Sequence, residues 1–262
     1  MSSAPPSLLP FLQAMTYADS AYPSGRYTLS HGLEGLVQAH RVRGAAQVRE
    51  ALLDHLRHTA APGDGVATAV AALVAANADL GTLDTLVTVD HELSATKVTH
   101  ELRRASTRVG RQMLQVTADV EARLGQVPPQ PLASYASAVA AKETPGNQAV
   151  VAGLVHASHG LTAAEAVATE LTGLAVGWAG AALRLRQCDH IDAQVVITAA
   201  HPVVAELAVQ CTAVASDLLA SSRGSAGAPA DPTVWRLLGR ASPGSDLASA
   251  AHETAPARLF MS

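Results

Sequence analysis

The chain has 262 residues, 48% apolar and only 15% charged, so it can build a sizeable core and lacks the composition of a disordered chain. A formal net charge of −4 removes the clustered basic surface that nucleic-acid binding needs. Aromatic residues are 3%, so Ala, Val and Leu must fill the core, which suits closely packed helices better than a β-sandwich.

The opening stretch, "MSSAPPSLLPFLQAM", has no positively charged region and does not read as a secretory signal. After the turn "YPSG" at 22–25, Leu29, Leu33, Leu36 and Val37 recur at helical spacing. Val48, Leu52, Leu53 and Leu56 mark a second helix, expected to stop before "APGDG" at 61–65. Helix resumes at 66–79, and a shorter one covers 82–90. The strongest pattern runs from 94 to 124, where Val98, Leu102, Ala105, Val109, Met113, Val116 and Val120 form a continuous apolar stripe. Gly125 and "PPQP" at 128–131 end it. Further helices are predicted at 131–141, 147–159, 163–187 and 193–221, with Pro202 near the start of the last.

The stretch 222–232, "SRGSAGAPADP", has the composition of a flexible linker. A short helix around Trp235, Leu237 and Leu238, the breaker "ASPGSD" and a tail follow. No segment alternates with period two, and no internal repeat appears. The expectation is an all-α protein: a single helical domain of about nine or ten helices over 1–221, then 222–262 as linker, short helix and C-terminal docking segment. The longest helix-like uncharged stretch, 171–183, falls short of the roughly 18–20 residues of a membrane span. Cys188 and Cys211 form no CxxC pair and are expected to stay reduced. A cytoplasmic protein without membrane or nucleic-acid partners is expected.

Phosphate loops, dinucleotide fingerprints, nucleophile elbows and HExxH are all missing from the sequence, so no catalytic residue is assigned. The pairs His55/His58 and His156/His159 have helical spacing, but neither has a third ligand on its face, and the plainer reading is ordinary histidines. In "QCDH", Cys188, Asp189 and His190 are either weak metal candidates or a helix–helix turn. Arg104, Arg108 and Arg111 share one face, either solvated, with Glu101 pairing Arg104, or docking an acidic partner. Gly173, Gly177 and Gly180 open one side of their helix to a close neighbour. In the tail, Arg258, Leu259 and Phe260 combine an apolar anchor with a charge, as interface hot spots do. The alternative is a tail that folds back on its own helices as a cap.

Five stretches, in order, resemble the UreF family of urease accessory proteins. "DSAYPSGRYTLSHGLEGLVQ" at 19–38 is similar to the family's first block, with Pro23, Gly25, Tyr27, Ser30, Gly32, Leu33 and Glu34 on pattern. "ELRRASTRVGRQML" at 101–114, "GNQAVVAGLVHASHGL" at 146–161 and "AALRLRQCDHIDAQ" at 181–194 resemble three more, and "ASAAHETAPARLFMS" resembles the closing one. The chain departs from the pattern at Ala21, at Arg26 where a small residue is usual, at Asn147 and Gln148 where histidine is, and at "QCDH".

The resemblance implies an all-helical, non-catalytic homodimer that binds UreD (UreH), recruits the GTP-binding protein UreG and assembles with apo-urease. Nickel is then handled by the complex, and no cofactor is intrinsic. Carried onto this chain, His252, Glu253, Arg258, Leu259 and Phe260 are expected to face UreD. Tyr27, Ser30, Gly32, Glu34, Arg104, Arg108, Arg111, Arg184 and Gln194 are weaker candidates for UreG contact or dimerisation. The rival expectations are a direct nickel carrier or a helical metallohydrolase using the Cys188–His190 turn.

Overall fold

Helix follows helix along the chain, and no strand occurs among the residues that the computed structural model describes, 8–224, 230–239, 243–255 and 258–261. The first helix, α1 (Leu9–Ala18), leads through a 3₁₀ turn at Arg26–Thr28 to the short α2 (Leu33–Gln38). Next, α3 (Gly44–His55) continues through a π-helical stretch, Leu56–Gly65, into α4 (Val66–Ala76). Then come α5 (Leu83–Thr96), α6 (His100–Arg123), α7 (Leu132–Ala140), α8 (Gln148–Ser158), α9 (Ala163–Arg184) and α10 (His190–Arg223). A 3₁₀ turn at Pro232–Leu237 and α11 (Pro243–Glu253) complete the order. The all-α expectation holds. The predicted linker falls partly on 225–229 and the "ASPGSD" breaker partly on 240–242, outside the described residues.

Alanine and valine explain the centre. In α4, "VATAVAALVAA", eight of the 11 residues are buried, as expected of a helix apolar on all sides. It crosses α8, buried from Ala149 to His156, so closely that a side chain at Gly153 would collide with the Thr68 carbonyl. The Thr68 hydroxyl donates to the Ala149 carbonyl at 3.0 Å across that contact. The antiparallel α9 and α10 pack against α4, each opened by a capping box, at Thr162 and Asp189.

Three boundaries differ from the spacing-based reading. The break expected at "APGDG" is absent. Pro62 has no N–H and its ring opposes the α register, and the chain widens to π-helix instead of stopping. Two carbonyls there find distant donors: the Cys211 thiol reaches Ala61 O at 3.3 Å, and the Gly239 N–H reaches Pro62 O at 2.8 Å. The stripe at 94–124 is two helices, α5 and α6, separated at Lys97–Thr99, where the Thr99 hydroxyl caps the Leu102 N–H. Residues 9–18, not assigned as helix from sequence, form α1.

Joined in this way, Gly44–Ala76 reaches the length and apolarity of a membrane span, as do α9 and α10. Of their most apolar windows, 67%, 61% and 44% lie buried inside the bundle, so most of that apolarity in the first two rods is used in the core.

The polar centre of the fold is Asp90, fully buried on α5. Its Oδ2 accepts from the Tyr135 hydroxyl at 2.8 Å, the Thr144 hydroxyl at 2.7 Å and the Gly146 N–H at 2.7 Å. Its Oδ1 accepts from the Asn147 N–H at 3.0 Å and Nδ2 at 2.8 Å. One carboxylate thus joins α5, α7 and the start of α8. Asn147, a departure from the family pattern, is one of its donors.

Candidate functional site

Where α2 begins, Gly32 adopts a left-handed conformation (φ 90°) and the Ser30 hydroxyl accepts the Glu34 N–H at 3.3 Å. This turn places Glu34, a buried carboxylate, toward the C-terminal tail. Glu34 accepts the backbone N–H of Leu259 at 2.8 Å and of Phe260 at 2.9 Å, and the His252 Nε2–H at 2.9 Å. On α6, Glu101 meets the other ring nitrogen of His252 at 3.0 Å and Arg258 at 3.5 Å. Its own N–H donates to the Glu253 carboxylate at 3.1 Å. Both ring nitrogens of His252 are thus engaged, one by a carboxylate of α2 and the other by a carboxylate of α6.

Arg184 closes the clamp. Its guanidinium lies 4.0 Å from the Tyr27 ring centroid and 4.3 Å from that of Phe260, and it donates to the Tyr27 carbonyl at 2.8 Å. The Met261 N–H reaches the Thr28 carbonyl at 3.0 Å. Phe260 is 5% exposed and fills a pocket of its own chain, and Arg258 pairs with its own chain's Glu101. The tail is therefore a cap here. Leu259 at 63%, Tyr27 at 58% and Met261 at 44% exposure remain as an apolar rim.

The other sequence candidates scatter around or away from the clamp. Arg108 donates to the Thr28 hydroxyl at 2.8 Å and Arg111 to the Pro145 carbonyl at 3.2 Å, so both tie α6 to neighbouring turns. Arg104 is exposed and does not pair with Glu101 as expected, because Glu101 faces α11 and the tail. Gln194 is exposed on the first turn of α10 and makes none of the clamp's contacts. Cys188 is half-buried and His190 exposed, on either side of Asp189, whose carboxylate caps α10 by accepting the Ile191 and Asp192 N–H groups at 2.8 Å. Among the described residues, no three His, Cys, Asp or Glu side chains gather to hold a metal ion. Gly173 makes room for the Arg26 guanidinium rather than for a neighbouring helix.

Behind the clamp lies a cavity of about 150 Å³ that the sequence did not reveal. Arg26, the second departure from the family pattern, reaches into its wall and pairs with the buried Glu170 at 2.6 Å. Gln148 Nε2 donates to Glu170 at 2.7 Å and His156 Nε2 sits 3.1 Å from it. Burial alone would raise the Glu170 carboxyl, but the Arg26 guanidinium and His156 outweigh it and hold it well below the usual carboxylate range. Two histidines, His31 and His55, line the cavity itself. Burial pushes His31 down to about 3 and His55 down to about 4, so both rings are neutral near pH 7. In the unfolded chain each takes a proton near pH ~6.5. The stability contributed by these two neutral rings is therefore fully present above that value and is lost as pH drops toward about 4 for His55 and about 3 for His31. Urea denaturation at pH 7 and pH 5 checks this, with a flatter pH slope expected for His55→Gln.

The chain is similar in sequence to known proteins. A UreF family model matches residues 42–201. Urease accessory protein UreF 2 of Brucella canis is 30% identical over 205 residues, covering 78% of this chain and 80% of its own length. Urease accessory protein UreF 1 of Brucella melitensis is 29% identical over the same shares, and UreF of Yersinia pestis is 28% identical over 70% of this chain and 76% of its own. Matches of that extent to proteins sharing one family name lead to one assignment: the chain belongs to the UreF family.

Proposed function

We propose that this chain is a non-catalytic urease accessory protein that binds a UreD (UreH)-type partner and, with it, recruits a UreG-type GTPase to apo-urease. Nickel is then the cargo of the complex and not a resident cofactor, and the chain works as a cytoplasmic homodimer. The observation that carries the reading is the tail clamp: the backbone of Leu259 and Phe260 is fixed on Glu34, while Leu259, Met261 and Tyr27 stay outward beside Arg184. A held apolar rim next to a stacked arginine has the composition of an interface centre. The carrier and hydrolase rivals draw less support. Asp189 is engaged in capping, and burial with the neighbouring Asp192 and Asp189 pushes the Cys188 thiol up, away from the thiolate that binds metal.

Co-expression with UreD- and UreG-type proteins followed by size exclusion tests the proposal. A chain lacking residues 252–262 is expected to lose the UreD-type partner while keeping its helical circular dichroism. Co-elution of the shortened chain with that partner would overturn the assignment of the tail.

A further inference from the structure

The cavity behind the clamp has unmet polar needs. Arg26 Nε, His31 Nε2, His55 Nδ1 and Thr59 Oγ1 line it, are buried, and have no hydrogen-bond partner in the protein. Buried polar groups are rarely left in that state, and a group of four on one cavity points to an occupant. Its volume of about 150 Å³ exceeds the ~30 Å³ share of one liquid water. Fixed charge offers an anion no hold, because Arg26 pairs with Glu170 and Lys97 with Asp64, and Asp246 adds a further carboxylate. The unpartnered atoms are an N–H donor, a hydroxyl and two neutral ring nitrogens. This set suits a small uncharged molecule that both donates and accepts hydrogen bonds.

One wall of the same cavity is the C-terminal segment. Gly239, Asp246 and Ser249 line it. α11 lies so close on α2 that a Cβ at Gly35 would stand 2.5 Å from the Ala248 carbonyl oxygen, and Ser249 Oγ is 3.3 Å from Thr99 Oγ1. What holds this segment is mostly polar: the bonds of His252, Leu259 and Phe260 to Glu34, and of His252 to Glu101. Among its described residues from α11 onward, Ala248 and Phe260 are the buried apolar ones. With so little apolar surface buried, detaching this segment costs little hydrophobic free energy.

We propose that the cavity is a binding chamber for small uncharged hydrogen-bonding molecules, water first among them, and that α11 with its tail is the lid that controls their exchange with solvent. Whatever grips or frees the tail then sets access to the chamber. This holds whether or not the accessory role above is correct.

Diethylpyrocarbonate, which acylates neutral imidazole nitrogens, is a suitable probe when peptides are read by mass spectrometry at pH 7. In the wild-type chain, His31 and His55 are expected to react far more slowly than the exposed His58 and His201. Two variants lift the lid by different means: Glu34→Gln weakens the acceptor, and Gly35→Ala drives a methyl into the Ala248 carbonyl while favouring helix in α2. Each is expected to speed His31 and His55 labelling by about tenfold. Cys211, buried and outside the chamber wall, reports unfolding through a thiol reagent and is expected to stay unreactive. The proposal fails if wild-type His31 and His55 react as fast as His58. It also fails if neither variant accelerates them, or if acceleration comes only together with Cys211 reactivity.

Discussion

Alanine at Asp90 is expected to lower the unfolding free energy by roughly 3–5 kcal/mol, which places it at the severe end of single substitutions. Five donors lose their acceptor at once: two hydroxyls, two backbone N–H groups and the Asn147 amide. The site is fully buried, so water reaches them only if the structure opens. No cation neutralises Asp90 in this set; its charge is held by dipoles, and losing it removes the common end-point of α5, α7 and α8. Asp90→Asn is expected to recover little, because the amide places a donor among donors. Tyr135→Phe removes one bond and should cost about 1 kcal/mol. Urea denaturation followed by circular dichroism measures all three. An alanine variant within ~1 kcal/mol of wild type would show that the donors find other partners.

Replacing Glu34 by alanine is expected to free the tail while the helical domain stays folded. Trypsin cleavage after Arg258 should accelerate on the order of 10²-fold, since bonds to an ionised acceptor are the strong ones. Glu101→Ala should act more weakly. It removes one His252 bond and the pair with Arg258, which is 44% exposed and contributes little. If Glu34→Ala left the cleavage rate at the wild-type level, the remaining contacts of Phe260 with Arg184, of His252 and Arg258 with Glu101 and of Met261 with Thr28 would suffice to hold the tail. Loss of the UreD-type partner in this variant, with the helical signal intact, would join the clamp to the accessory role.

Much of this fold is readable from apolar spacing. α6, α8 and α9 sit where Val, Leu and Ala recur at three and four residues, and Gly125 ends α6 as its type predicts. Asp90 and Glu170 leave a signal that spacing shows once it is sought. Each occupies a core-facing position, the first among Leu86, Val89 and Leu93, the second among Ala166, Val167 and Leu171. The π-helical stretch was not readable, because its Gly and Pro content is that of a break. The groups that serve its carbonyls, Cys211 and Gly239, come from elsewhere in the chain. The clamp was half legible. Ser30 to Glu34 and the Arg-Leu-Phe ending stand out as motifs, yet Glu34 and His252 are 218 residues apart, and nothing local says that they touch. Arg26, a departure from pattern in the sequence, takes its meaning from Glu170, 144 residues away.

The widened stretch Leu56–Gly65 also bears on how chain length varies within this fold. In an ordinary α-helix, deleting one residue swings everything beyond it by about 100°, which would turn the buried face of Val66–Ala76 out of the core. A π turn already holds one residue more than an α turn, so a deletion there tightens the turn and leaves the downstream rod facing the same way. Single-residue gaps between this chain and its relatives, if they fall in the first half of the bundle, are best accommodated at 56–65.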